Sequence, residues 1–80
     1  GKMIEITIST KQNRYGLFYG VMRLKQDGRH VLTKTSGSLF ASHEDAVQNA
    51  KIIRDTFMAE NGYYLTKKGI EYCKDTANVI

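Results

Sequence analysis

The chain of 80 residues carries two histidines, His30 and His43, and a single cysteine, Cys73. An imidazole within hydrogen-bond reach of a thiol makes a general base and its nucleophile, so a His30–Cys73 pair is the one covalent chemistry this inventory allows. Nothing beside it supports catalysis. There is no nucleophile elbow, no glycine loop of the kind that cradles phosphate, and no metal-ligand spacing. The simpler reading is an unreactive thiol and two solvated imidazoles. His43 falls in the first turn of a helix, where a neutral ring is compatible with the macrodipole and a cation is poorly placed. The chain therefore reads as non-enzymatic, with no catalytic residue, metal or cofactor and no small-molecule substrate.

Charge is the more informative chemistry. Residues 1–40 hold seven basic residues against Glu5 and Asp27, whereas residues 41–80 hold five basic against six acidic. The basic excess belongs to the first half, which is where strands are expected, and a basic sheet matters for any polyanion partner. Tyr15 to Lys25 is rich in aromatic and branched residues and runs into Asp27-Gly28, the strongest short hairpin signal in the chain, after which Arg29 to Thr35 returns. A two-residue loop pairs Lys25 with His30, Leu24 with Val31, Arg23 with Leu32, Met22 with Thr33 and Val21 with Lys34. One face then carries Phe18, Met22, Leu24 and Val31, with Gly20 leaving room for a helix. The other carries Tyr19, Val21, Arg23, Lys25, His30, Leu32 and Lys34, and is neither purely polar nor purely apolar. Water normally meets a polar side of an antiparallel sheet, so this mixed face, with Arg29 at its turn, is the candidate binding surface.

The elements that must position these residues can be read in outline. Met3 to Ile8 alternates, with Ile4, Ile6 and Ile8 on one side, and predicts a strand with one buried face. Ser9 to Arg14 reads as a polar loop. Ser42, with Asp45 three residues on and Glu44 between, opens a helix at about His43. Ala46, Ala50, Ile53 and Phe57 form its apolar stripe with Val47 and Met58 on the shoulder, and Asn61-Gly62 stops it. Phe18, Met22, Leu24 and Val31 should lie under that stripe. Ile52 sits on the polar side, as a lone exposed aliphatic or under the tail or a partner. After Gly62, Tyr63-Tyr64-Leu65 is strand-like, and Thr66 caps a short helix with Ile70, Cys73 and Ala77 at helical spacing. The alternative for that tail is a hairpin turning at Lys67-Lys68-Gly69.

These elements predict an α+β fold: a three-stranded antiparallel sheet, about residues 3–8, 16–25 and 29–35, packed on one long helix of about 43–60 (β-β-β-α), with a short C-terminal element, helical. Eighty residues make a single domain, core about 3–60 and tail 63–80, that buries only roughly 60–65% of its unfolded surface. Dimerisation would supplement such a core. Gly1-Lys2 ahead of Met3 reads as a cloning remnant. The lone cysteine, read as a half-buried small hydrophobe, fits a reducing cytosol, and no apolar run is long enough to span a bilayer, so no membrane partner is expected.

The succession of strand, aromatic strand, Asp27-Gly28-Arg29, strand, Thr35-Ser36 and then Leu39-Phe40-Ala41-Ser42 opening a helix with Asp45-Ala46 resembles the YegP-like family of small bacterial proteins. That resemblance spans about Ile4 to Ile53 and implies a β-β-β-α unit, usually tandem or paired, with no established activity; this chain has one unit. The aromatic strand and basic hairpin are also similar to the three-stranded DNA-binding domains of tyrosine-recombinase arms and plant ethylene-response factors, which lay their sheet into the major groove. Gly37-Ser38-Leu39-Phe40 is one residue longer than the spacing in those domains, and the tryptophan common in the plant domains is missing.

Two functions follow from the mixed face. In the first, a small interaction module, a regulator or inhibitor, binds a protein partner or a second copy of itself through Tyr19, Val21 and Leu32, with the basic residues as a rim. In the second, Arg23, Lys25, Arg29 and Lys34 contact nucleic acid, with Tyr19 as a packing or stacking residue. The aliphatics among the cations tip the reading toward the protein partner, because a face that tracks phosphates has little use for them.

Overall fold

The computed structural model describes residues 3–65 and 71–73. Three strands come first, β1 (Met3–Gln12), β2 (Phe18–Gln26) and β3 (Arg29–Thr35), followed by helix α1 (His43–Asn61) and the short strands β4 (Tyr64–Leu65) and β5 (Glu71–Cys73). All pairing is antiparallel, in the order β3-β2-β1-β5-β4. The β-β-β-α order and the α+β class agree with the expectation. No helix among the described residues is long and apolar enough to cross a membrane.

The helix begins and ends where its chemistry directs. Ser42 is extended and its Oγ accepts the Asp45 N–H at 3.1 Å, while Glu44 and Asp45 occupy the positive first turn. Gly62 takes the left-handed conformation, φ 69°, and donates its N–H to the Met58 carbonyl. Ala46 and Ala50 are fully buried against Gly20 of β2. A Cβ at Gly20 would lie 2.8 Å from the Ala50 nitrogen and 2.9 Å from the Ala46 oxygen, so glycine is what lets the helix backbone approach the sheet. Below this contact, Ile4, Ile6, Met22, Leu24 and Phe57 form the core, joined by half-buried Ile8, Leu32, Ile53, Met58 and Tyr63.

The structure departs from the sequence reading in three places. Ser9 to Gln12 is strand rather than loop, paired with Val21 to Phe18. Its polar side chains are no obstacle, because β5 reaches β1 only at Met3–Glu5 and leaves this stretch with β2 as its one described neighbour. The second departure is at the tail, where Cys73 lies in a strand, not a helix: β5 pairs with Met3–Glu5, and Tyr64 and Leu65 pair with Cys73 and Tyr72. This is the hairpin alternative, and it supplies partners for the backbone groups along the free edge of β1. The turn at Lys67-Lys68-Gly69, and Thr66, Ile70 and Ala77, lie outside the described residues.

The third departure decides the site. Asp27 and Gly28 do form a two-residue turn with positive φ at both, 51° and 83°, and Lys25 pairs with His30 as expected. Beyond that pair a β-bulge intervenes, so Leu24 faces Leu32, Arg23 faces Thr33, Met22 faces Lys34 and Val21 faces Thr35. Val31 is the extra residue and is 58% exposed, whereas Leu32 packs against the core. Turning leucine inward in place of valine buries an additional methylene, worth about 0.8 kcal/mol. The bulge also twists an edge strand away from pairing with another sheet.

Candidate functional site

The eight candidate residues are divided between the two sides of the sheet, Leu32 and Lys34 by the bulge and Arg29 by the turn register that precedes it. Tyr19, Val21, Arg23, Lys25 and His30 lie on the face turned from the helix, whereas Arg29, Leu32 and Lys34 pair with Gln26, Leu24 and Met22 on the helix side. Lys34 in particular extends its ammonium to 5.4 Å from the centre of the Phe57 ring.

What remains on the open face is a row of cations set among hydroxyls. Across the strands, Thr7, Arg23 and Thr33 make one row, Ser9, Val21 and Thr35 a second, and Glu5, Lys25 and His30 a third; Lys11 stands opposite Tyr19. Val21 is 1% exposed despite facing away from the helix, sunk in the central strand of this region, so it offers a partner no apolar surface. His30 Nε2 and Thr33 Oγ1 are 2.7 Å apart, which joins two of these rows. Lys11, Arg23 and Lys25 bring three positive charges to the face and Glu5 one negative charge. Such a surface can contact phosphate oxygens by charge and by hydroxyl donors.

Reading the sequence missed Lys11, Thr7, Ser9, Thr33 and Thr35. The signal for the first three was available: the alternation of Ile4, Ile6 and Ile8 continues in phase through Thr10, which places Thr7, Ser9 and Lys11 together on the other side. Thr33 and Thr35 reach that face only because of the bulge.

The helix side gains Leu32 from the open face. A groove of about 370 Å³ runs between α1 and β3, with Ile53 and Phe57 on its lining, Lys34 and Glu60 as its charges, and Ile52, 62% exposed, beside them. His30 and Cys73 belong to strands that are not neighbours: β3 and β5 have β2 and β1 between them, a backbone separation of about 14 Å at ~4.8 Å per strand. His43 instead pairs through Nδ1 with Thr10 Oγ1 at 2.9 Å and sets its ring edge-on to Phe18, 6.0 Å between centres. Among the described residues no group of three or more His, Cys, Asp or Glu side chains converges as a metal site. No family model, curated protein or solved structure matches this chain.

Proposed function

We propose that this chain is a nucleic-acid-binding module whose open sheet face contacts phosphates through Lys11, Arg23 and Lys25, with Thr7, Ser9, Thr33 and Thr35 as supplementary hydroxyl partners. The observation that carries this reading is the bulge at Val31. The preference for a protein partner rested on Leu32 and Val21 lying among the cations; Leu32 now packs toward the helix and Val21 is buried, while threonines take the vacated positions. A face whose middle rows are cations and hydroxyls around a buried Val21, with Tyr19 and Met3 only toward its ends, suits a polyanion better than a protein interface, whose energy comes chiefly from central desolvated apolar and aromatic anchors.

A gel-shift titration with generic single-stranded and duplex DNA at low salt tests it. Binding should fall steeply as salt rises, and Arg23→Ala with Lys25→Ala should weaken it for all sequences while lowering the salt slope by roughly one per lost phosphate contact. Absence of binding at low salt, or binding indifferent to both substitutions, would overturn the proposal.

The second reading, a protein partner or a second copy of the chain, moves to the helix side. It is favoured by one observation, the exposed Ile52 beside the groove. Sedimentation at micromolar concentration checks self-association, and Ile52→Asp should abolish it if this side is the contact.

A further inference from the structure

The turn between β1 and β2 is held far more firmly than an exposed hairpin tip requires. Asn13 organises it: its N–H donates to the Leu17 carbonyl at 2.8 Å, its own carbonyl accepts the Gly16 N–H at 3.1 Å, and its side-chain Oδ1 accepts the Tyr15 and Leu17 N–H groups at 2.9 and 3.0 Å. Gln12 Nε2 adds a bond to the Gly16 carbonyl at 3.0 Å, and Gly16 adopts φ 82°, a conformation glycine takes without strain. At the summit of this framework stands Tyr15, 71% exposed, the most exposed of the large apolar side chains described. Arg14 steadies it. The guanidinium sits 4.9 Å from the ring centre and its Nη2 donates to the Tyr15 hydroxyl at 2.7 Å.

Nothing in the core explains this ring, which is absent from the packed cluster around Met22 and Phe57. Its position does suggest a use. The turn extends from the end of the open face where Lys11 stands opposite Tyr19, so Tyr15 stands at the hairpin tip, beyond the cross-strand rows that carry Lys25, Arg23 and Lys11. From Lys25 to Tyr19 the strand spans about 20 Å at ~3.4 Å per residue, room for a few nucleotides. An oriented aromatic ring at the end of a phosphate-contacting row is the arrangement that captures an unpaired base, since every base presents a π-face and a duplex keeps those faces stacked on each other.

We infer that the preferred ligand is single-stranded nucleic acid, with an unpaired base stacked on Tyr15 and Arg14 holding the ring. This inference rests on the proposed function and deepens it. The Tyr15 ring is the element that separates single strands from duplex, and the cations of the sheet face serve both.

The test uses the full chain, with a labelled 15-nucleotide oligothymidine and a mixed-sequence duplex of the same length, titrated at two salt concentrations. Tyr15→Ala should weaken oligothymidine binding by roughly 5- to 150-fold, the range of one lost base–aromatic stack. Its salt slope should stay unchanged and its duplex affinity should stay within about twofold of the parent. Tyr15→Phe, which keeps the ring, should retain most of the single-strand affinity, and circular dichroism of each variant confirms that the turn substitution leaves the fold in place. If Tyr15→Ala leaves single-strand binding unchanged, or weakens duplex equally, the inference fails while a response to Arg23→Ala and Lys25→Ala would keep the sheet-face reading. If the parent binds neither nucleic acid at low salt, both fall together.

Discussion

The two sides of strand β2 are built from the same residues in alternation, yet they obey different constraints. On the helix side, Gly20 lies under the helix backbone and Met22 and Leu24 are buried in the core. On the other side, Arg23 and Lys25 face water with threonine and histidine across from them, and only Val21 is fully enclosed. The first side sets the fold and tolerates almost no change in volume. The second is not constrained by packing, so its side chains bear more directly on function than those of the core.

The largest expected break in this contrast is at Gly20, whose Cα faces the helix between two positions of the open face. Gly20→Ala would place a methyl against the Ala50 nitrogen and the Ala46 oxygen, which are backbone atoms and cannot rotate away. A reduction in unfolded-state entropy favours alanine by about 0.4–1 kcal/mol, but overpacking costs roughly 1–3 kcal/mol and wins. Urea unfolding should show the net loss, while the folded fraction should bind nucleic acid with the parent's salt slope. Parent-like stability would mean that the helix can lift from β2 at no cost.

A smaller effect distinguishes the two neighbours whose places the bulge decides. Leu32→Ala should cost roughly 1–2 kcal/mol, below the range for fully buried leucines because Leu32 is half-buried. Val31→Ala should stay within about 0.5 kcal/mol, as for other exposed positions. A hairpin without the bulge predicts the opposite order, so measuring both by thermal or urea unfolding decides which register β3 adopts.

That contrast also marks where the sequence became unreadable. The helix was legible because its ends are local chemistry: Ser42 accepts a specific N–H, and Gly62 alone can take the left-handed turn at low cost. The Asp27-Gly28 turn was legible for the same reason, since its backbone demands residues that tolerate positive φ. The bulge was not, because Val31 and Leu32 are adjacent aliphatics and either satisfies an alternating pattern; only the packing around Met22 and Phe57 chooses between them. The continuation of β1 through Lys11 was hidden by polar composition, although its phase was intact. The tail offered equally good helical and alternating patterns, and what favours strand there, the open edge of β1 at Met3–Glu5, is a tertiary fact. The open face was therefore misread at Leu32 and Lys34 by the inserted residue, while Arg29, opposite Gln26, stands on the helix side by the turn register alone; the other five proposed residues share the open face.

The smallest expected effect is the most discriminating. Deleting Val31 removes the one residue of β3 that opposes nothing in β2, so Gln26–Arg29, Lys25–His30 and Leu24–Leu32 would follow one another without interruption. Every side chain from Leu32 onward keeps its present face, because the deletion cancels the offset that the bulge introduced. Stability should therefore stay within about 1 kcal/mol of the parent, since an exposed residue and a local kink are all that is lost. Nucleic-acid affinity should stay within about twofold, because Lys11, Arg23 and Lys25 do not move. One property should change. A flat β3 presents its unpaired backbone more openly, so sedimentation should show more self-association than in the parent. Were Val31 instead an inward residue of an unbulged hairpin, deleting it would carry Leu32 and Lys34 from the open face to the helix side, and nucleic-acid affinity and its salt slope would fall with the loss of Lys34 from that face. A variant that is nearly as stable, binds nearly as well and associates more would show that the extra residue keeps the edge strand from pairing with another sheet.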